Sequence, residues 1–298
     1  MADKINIMSD FLKVAQAISN IKKQEVPLPI AKKTAIVGTL RVGDDLSLKT
    51  SLVSPVSYDR EMSQLIHSHT EFMVEEGNLK SFSFEEFCSL ISNLDKMCLI
   101  WALYKTTYET LGQKKFKCEK EQCKHEHKVD ILLDDLVHDD SFVVWEEESP
   151  FYEFVFPIEV VYEGFVYGFD SRIPSIRDNN RLMSNLSIDA LQSNLNQTGS
   201  VFTRTEQIAL LTKTMTIRKQ TDPNSITKSE NLQEILMALQ SYVPHIVSEK
   251  FFKDYSEKFD KYYPKFYTEI VCPQCQNKTE FRVELETEFF RRSVFDRG

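Results

Sequence analysis

Two short stretches carry cysteines at the spacing of metal ligands. The first reads Lys115-Phe116-Lys117-Cys118-Glu119-Lys120-Glu121-Gln122-Cys123-Lys124-His125-Glu126-His127, and the second reads Ile270-Val271-Cys272-Pro273-Gln274-Cys275-Gln276-Asn277-Lys278. In each, two cysteines flank a tight turn and an alternating polar/apolar segment follows. Such a knuckle is half of a zinc ribbon. Two thiolates a few residues apart reach one ion at bond lengths of about 2.3 Å, and a second knuckle completes a tetrahedral shell. Cys118, Cys123, Cys272 and Cys275 are therefore the expected ligands of one shared Zn2+. Sequence alone leaves a second arrangement open, in which His125 or His127 replaces a thiolate or completes a local site. Both histidines fall on one face of a strand, because side chains alternate with a period of two. The second knuckle has no histidine and cannot close a site alone, which favours the shared four-cysteine site. The competing reading is free or disulfide-bonded cysteines.

Other chemistry is hard to find. There is no phosphate loop, no HExxH helix and no Ser/His/Asp order of a hydrolase. Four thiolates leave zinc no vacant position for water, so the expected metal role is structural and the chain is expected not to be an enzyme. Glycine is scarce at 8 residues, which argues against a nucleotide-cradling loop and a small-molecule substrate. The acidic run Asp134, Asp135, Asp139, Asp140, Glu146, Glu147 and Glu148 reads as a solvated connector rather than paired catalytic carboxylates. A net charge of −9 argues against nucleic acid as the main partner, since such binders carry a basic face. No stretch approaches the ~18 apolar residues of a membrane span. Cysteine knuckles fit a reducing compartment. Cys88 and Cys98 sit in apolar helical patterns and read as core.

The elements around the knuckles suggest an α+β fold: helical layers with short antiparallel strands and a split four-cysteine zinc ribbon. Residues 4–22 carry an apolar stripe at helical spacing, namely Ile5, Met8, Phe11, Leu12, Val14, Ala15 and Ile18, ended by Pro27 and Pro29. Residues 34–53 alternate like a hairpin, and helices are expected after Pro55, after the Ser83-Phe84-Glu85-Glu86 capping box and through Ile100–Tyr108. Beyond the first knuckle the pattern restarts, with strands over 151–169, a helix after Pro174, and helices near 187–195, 203–218 and 229–262. The two parts share one order of elements, and Pro55 and Asp59 match Pro174 and Asp178, which reads as a degenerate internal duplication; the alternative is one α+β domain whose zinc ribbon is split by a helical insertion. The expected organisation is a 1–30 helix or arm, a 31–134 half ending in a knuckle, a 135–149 acidic connector and a 150–298 half ending in a knuckle.

Several of these residues together resemble the baseplate-hub proteins of T4-type contractile phage tails. The resemblance rests on the helix entry Ser54-Pro55-Val56-Ser57-Tyr58-Asp59, the helical middle, and the paired knuckles Phe116-Lys117-Cys118…Cys123 and Val271-Cys272-Pro273-Gln274-Cys275, and covers residues 34–290. It implies a non-catalytic structural or assembly component with other tail and baseplate-hub proteins as partners. The location it implies is the virion tail baseplate, or the host cytoplasm during assembly. The alternative is a zinc-ribbon nucleic-acid-binding or transcription-associated protein. Lys115, Phe116, Lys117, Lys124 and Lys128 speak for it, and the acidic second knuckle with Glu280, Glu284 and Glu286 speaks against it.

Overall fold

A computed structural model describes residues 22–41, 43–44, 55–74, 77–187, 189 and 202–283. The stripe at residues 5–18, the strand read over 46–53 and the helix read over 190–195 lie outside these residues. The first half opens with β1 (Lys23–Leu28) and β2 (Lys33–Gly38), then α1 (Pro55–Ser68), β3 (Thr70–Met73), β4 (Leu79–Lys80), α2 (Phe84–Leu90) and α3 (Asn93–Tyr108). The hairpin β5 (Thr110–Lys117) and β6 (Glu126–Leu132) carries the first knuckle and leads into a 3-10 turn, Leu133–Leu136. The second half runs β7 (Phe156–Tyr162), β8 (Phe165–Ser171), α4 (Ile176–Ser184), α5 (Arg204–Leu211), β9 (Thr212–Lys219), β10 (Asp222–Ser229), α6 (Leu232–Ser241) and α7 (His245–Phe259). It ends in the hairpin β11 (Tyr267–Val271) and β12 (Lys278–Arg282) around the second knuckle.

Each half builds a four-stranded antiparallel sheet in the same order, β1-β2-β3-β4 and β7-β8-β9-β10. In each, helical chain separates the second strand from the third, and the long helix before the knuckle packs on the first strand: α3 on β1, α7 on β7. Pro27 is tolerated because β1 is an edge strand, where no partner needs its missing N–H. The β7–β8 turn puts Glu163 at φ 46° and Gly164 at φ 78°, the double left-handed geometry that matches the twist of a two-residue hairpin.

Helix starts are written locally. Ser83/Glu86, Ser92/Asp95, Ser175/Asp178 and Thr203/Glu206 each form a reciprocal capping box at the entries of α2, α3, α4 and α5. Pro55 is the first residue of α1 whereas Pro174 precedes the cap of α4. Asp178 closes a cap, and Asp59 instead receives Lys96 Nζ at 2.6 Å and Asn179 Nδ2 at 3.2 Å. The matched Pro-x-x-x-Asp residues therefore do different work in the two halves.

Three expectations need correction. Residues 23–28, placed in the 1–30 helix or arm, form β1 of the first sheet, because Val26 and Leu28 alternate with exposed Glu25 and Pro27 and bury one face. The helix expected over 203–218 stops at Leu211. Beyond it Thr212, Thr214, Thr216 and Ile217, all β-branched, continue as β9, and the polar stretch 222–229 pairs with it as β10. The expected 229–262 helix breaks at Tyr242–Pro244 into α6 and α7, since Pro244 cannot donate an N–H inside a helix.

The 135–149 connector is also packed rather than merely solvated. Trp145 is buried against Phe154, Phe259 and Tyr262, and its backbone N–H donates to Pro29 O at 2.8 Å. Asp140, Glu146 and Glu147 pair with Lys265, Lys261 and Lys258 in and beyond α7. Together with Ile30, Phe151 and Ile173 this makes a third apolar cluster between the halves. The first core is likewise shared, since Ile176, Phe266, Ile270 and Val283 join the side chains around α3. The second core fills the space under β7–β10, where Phe169 meets Phe251 edge-on at 4.9 Å.

Asp95, fully buried at the start of α3, accepts from Ile30 N at 2.9 Å, Ala31 N at 3.0 Å, Ser92 N at 3.3 Å and Ser92 Oγ at 2.8 Å. Burial pushes its pKa up to about 6, against the pull of those four donors. The folded state then holds a proton that the unfolded chain has released between about pH 4 and pH 6, so stability falls as pH rises through that window. Two pK units correspond to roughly 3 kcal/mol. Asp95→Asn cannot ionise, so its deficit relative to the wild type in urea unfolding should shrink by about that amount between pH 4 and pH 7. A deficit constant across that range would show that the carboxyl is not raised.

Candidate metal centre

Two antiparallel hairpins present the cysteines. In the first, Cys118 N–H donates to His125 O at 2.8 Å, and Cys123 N–H donates to Lys120 O at 2.9 Å. In the second, Cys272 N–H donates to Asn277 O and Gln276 N–H donates to Cys272 O, both at 2.9 Å. The residue after the second cysteine is left-handed in both, Lys124 at φ 49° and Gln276 at φ 59°. Neither is glycine, and such a conformation costs about 1–2 kcal/mol per residue. Two independent hairpins thus hold the same uncommon turn at the same place relative to their cysteines.

The turns bring the sulfurs of Cys118, Cys123, Cys272 and Cys275 within 4.8 Å of one another. Cys118 Sγ lies 3.5 Å from Cys275 Sγ, and Cys123 Sγ lies 3.8 Å from Cys272 Sγ. A tetrahedron with metal–sulfur bonds of about 2.3 Å has edges of about 3.8 Å. The four donors therefore fit one tetrahedral ion. All six cysteines are reduced, and Cys88 and Cys98 are buried in the first core, away from this cluster.

Neither histidine belongs to the cluster. His125 and His127 stack on each other at 5.7 Å, and His127 tilts against Phe116 at 6.4 Å. Behind the sulfurs Phe116 meets Phe281 edge-on at 4.9 Å, an apolar contact that joins the two hairpins directly. Sequence reading did not single out this pair. The signal was there, since Phe116 stands two residues before Cys118 and Phe281 six after Cys275, on strands whose alternation turns both to one side.

The hairpin bases are anchored in the body of the protein. Leu111, Ile131 and Ile270 are core residues, and Val283 N–H donates to Phe266 O at 2.9 Å. His138 donates through Nε2 to Tyr267 O at 2.7 Å and stacks on that ring at 4.1 Å.

The backbone also tunes the thiols. The Lys120 amide pulls Cys118 toward ionisation, but burial and the three neighbouring sulfurs outweigh it and push its pKa up to about 12. The His125 amide acts likewise on Cys123, which burial and the sulfurs of Cys275 and Cys272 still hold above the usual thiol range. At Cys272 burial opposes ionisation, yet the amides of Cys275 and Gln274 bring the pKa down to about 7. The Cys272 thiolate forms readily while Cys118 and Cys123 resist, as expected where negative charges would crowd together. A divalent cation removes that conflict, and its binding releases the remaining protons.

Compared with protein families, curated proteins and solved structures, the chain matches none of them.

The geometry generates a stoichiometric expectation. The chain should bind one ion, and Cys272→Ser should lose most of it, measured by elemental analysis of the purified protein. Full retention in that variant would favour a local site made by Cys118, Cys123 and a histidine.

Proposed function

We propose that this chain is a non-catalytic structural or assembly protein whose two halves are clamped by a structural Zn2+. The observation that carries this reading is the closed set of four thiols drawn from hairpins at the ends of both halves. A site with four protein ligands offers no position for substrate or water, unlike a catalytic zinc site. Four sulfur donors in a tetrahedron select zinc or iron. Zinc is the reading here, and a colourless protein carrying zinc at one per chain would agree with it.

The same reading takes the halves as a degenerate internal duplication. It is supported by the shared element order, by the identical strand order of the two sheets and by a knuckle at the end of each half. On this view the metal sits where two copies of one hairpin meet.

From the resemblance of its knuckles and helix entry, we further propose a component of a contractile phage tail baseplate hub, with other tail and hub proteins as partners. It would act in the virion or in the host cytoplasm during assembly. A scaffold must offer surface, and exposed Met237, Tyr242 and Ile246 at the α6–α7 corner, with Tyr152 and Tyr263, are suited to contact with other chains. None of the described helices is long and apolar enough to cross a membrane. Co-expression with the remaining hub proteins of the same genome tests the proposal. The full chain should co-purify with them and retain its zinc. The apolar stripe Ile5, Met8, Phe11, Leu12, Ala15 and Ile18 is the candidate docking face, so removal of residues 1–21, which leaves β1 whole, should abolish co-purification while melting temperature and zinc content hold. A full-length chain that joins no tail protein would overturn the baseplate reading.

One observation favours a second reading, a nucleic-acid-binding ribbon. Lys115 and Lys128 face each other across β5–β6, a like-charged pair that costs stability, with exposed Lys117, Lys120 and Lys124 nearby. The chain's net charge of −9 limits it. Binding to DNA or RNA should be weak and should vanish with added salt, as phosphate neutralisation requires. A sequence-selective nanomolar affinity at physiological salt would make this the primary function.

A further inference from the structure

The four sulfurs differ in access. Cys118 is 5 % exposed and Cys272 2 %, whereas Cys123 and Cys275 are partly open to solvent. The two close sulfur contacts between the hairpins each join one of each kind: open Cys275 to buried Cys118 at 3.5 Å, and open Cys123 to buried Cys272 at 3.8 Å. An accessible sulfur beside a sheltered one is the arrangement of an oxidisable thiol with its resolving partner. We propose that the cluster is an oxidant-responsive modification site, at which a peroxide converts the four thiolates into two disulfides between the hairpins, Cys118–Cys275 and Cys123–Cys272, and frees the ion. This inference rests on the metal reading of the same site.

The chemistry balances. The thiolate of Cys275 or Cys123 attacks one peroxide oxygen, the O–O bond breaks, and a sulfenic acid forms as hydroxide leaves and takes up a proton. The buried partner thiolate then attacks that sulfur, the S–O bond breaks, and the disulfide forms as a second hydroxide leaves as water. Two peroxides accept the four electrons. With four protons they become four waters, and the zinc leaves as the free dication. Each pair must close by about 1.5–2 Å to reach the bonded sulfur separation of about 2.05 Å. The sulfurs sit on turns at the hairpin tips, while the strand bases stay fixed in the core.

The pairing has a structural result. Because both bonds run between hairpins, the two hairpin tips stay joined after loss of the ion. Disulfides within each knuckle would leave the tips with no covalent link. Cys88 and Cys98, buried in the first core, serve as internal references that should stay reduced.

The test uses the full chain, purified with its metal and titrated with hydrogen peroxide. Ion release is followed with a metallochromic dye, and cysteines are mapped by differential alkylation and non-reducing peptide mass spectrometry. Release should run in step with loss of four alkylatable thiols and of four hydrogens from the intact mass. The cross-linked peptides should join Cys118 to Cys275 and Cys123 to Cys272, and dithiothreitol with added zinc should reverse both changes. Bonds formed within one knuckle, sulfinic acids without disulfides, or an ion retained while added glutathione is consumed would each overturn the proposal. A chain that carries no ion at the start and takes none up overturns the metal reading, and with it the release step. A chain that carries one and keeps it under peroxide overturns this proposal alone.

Discussion

One buried carboxylate holds three segments of the chain in register. Asp95 binds the backbone of Ile30 and Ala31 in the β1–β2 turn and closes the cap of its own helix through Ser92. Ser92 in turn bridges to Ser175, with Asn93 N–H donating to Pro174 O at 3.1 Å and Ile176 N–H to Ile91 O at 3.0 Å. The start of α3, the first sheet and the start of α4 are therefore fixed relative to one another through adjoining polar contacts. The first core is built around α3, most of whose residues are buried. Its sides are covered by the first sheet, by α1 and by α4.

This arrangement changes what the metal has to do. The halves already meet through the shared first core, the aromatic cluster around Trp145 and the buried Asp59–Lys96–Asn179 contact. In the Asp59–Lys96 pair Lys96 is buried and Asp59 partly so; such a pair contributes little net stability, but losing one member is costly, so it fixes which surfaces can meet. The hairpins stand at the margin of this joined body, with apolar bases inside and sulfurs at the tips. An ion bound there would order the ribbon pair and add one more link to the contacts through which the halves already meet.

Local signals were legible and non-local ones were not. The knuckles could be read because ligand spacing is a property of a few consecutive residues, and the Ser83 box because cap and partner lie three apart. The union of the two knuckles was inferable only because the second lacks a histidine. The stretch after Leu211 misled because Met215 and Ile217 also fit a helical stripe, and strand pairing with β8 decides the matter. The connector misled because its carboxylates dominate the composition, while its position depends on Trp145 and Phe151, two aromatics whose partners lie far along the chain. The edge-on contact of Phe116 with Phe281 was hidden for the same reason.

The distance along the chain between the paired sulfurs also sets an order of events at synthesis. Cys123 and Cys272 are 149 residues apart. At about 5–20 residues per second, the first hairpin waits roughly 7–30 s at the ribosome before its counterpart has even been made. In that interval Cys118 and Cys123 can offer a cation only half a shell. The nascent first half can meanwhile fold on its capping boxes and its own sheet, and a cation could meet all four sulfurs only once Cys275 has been made.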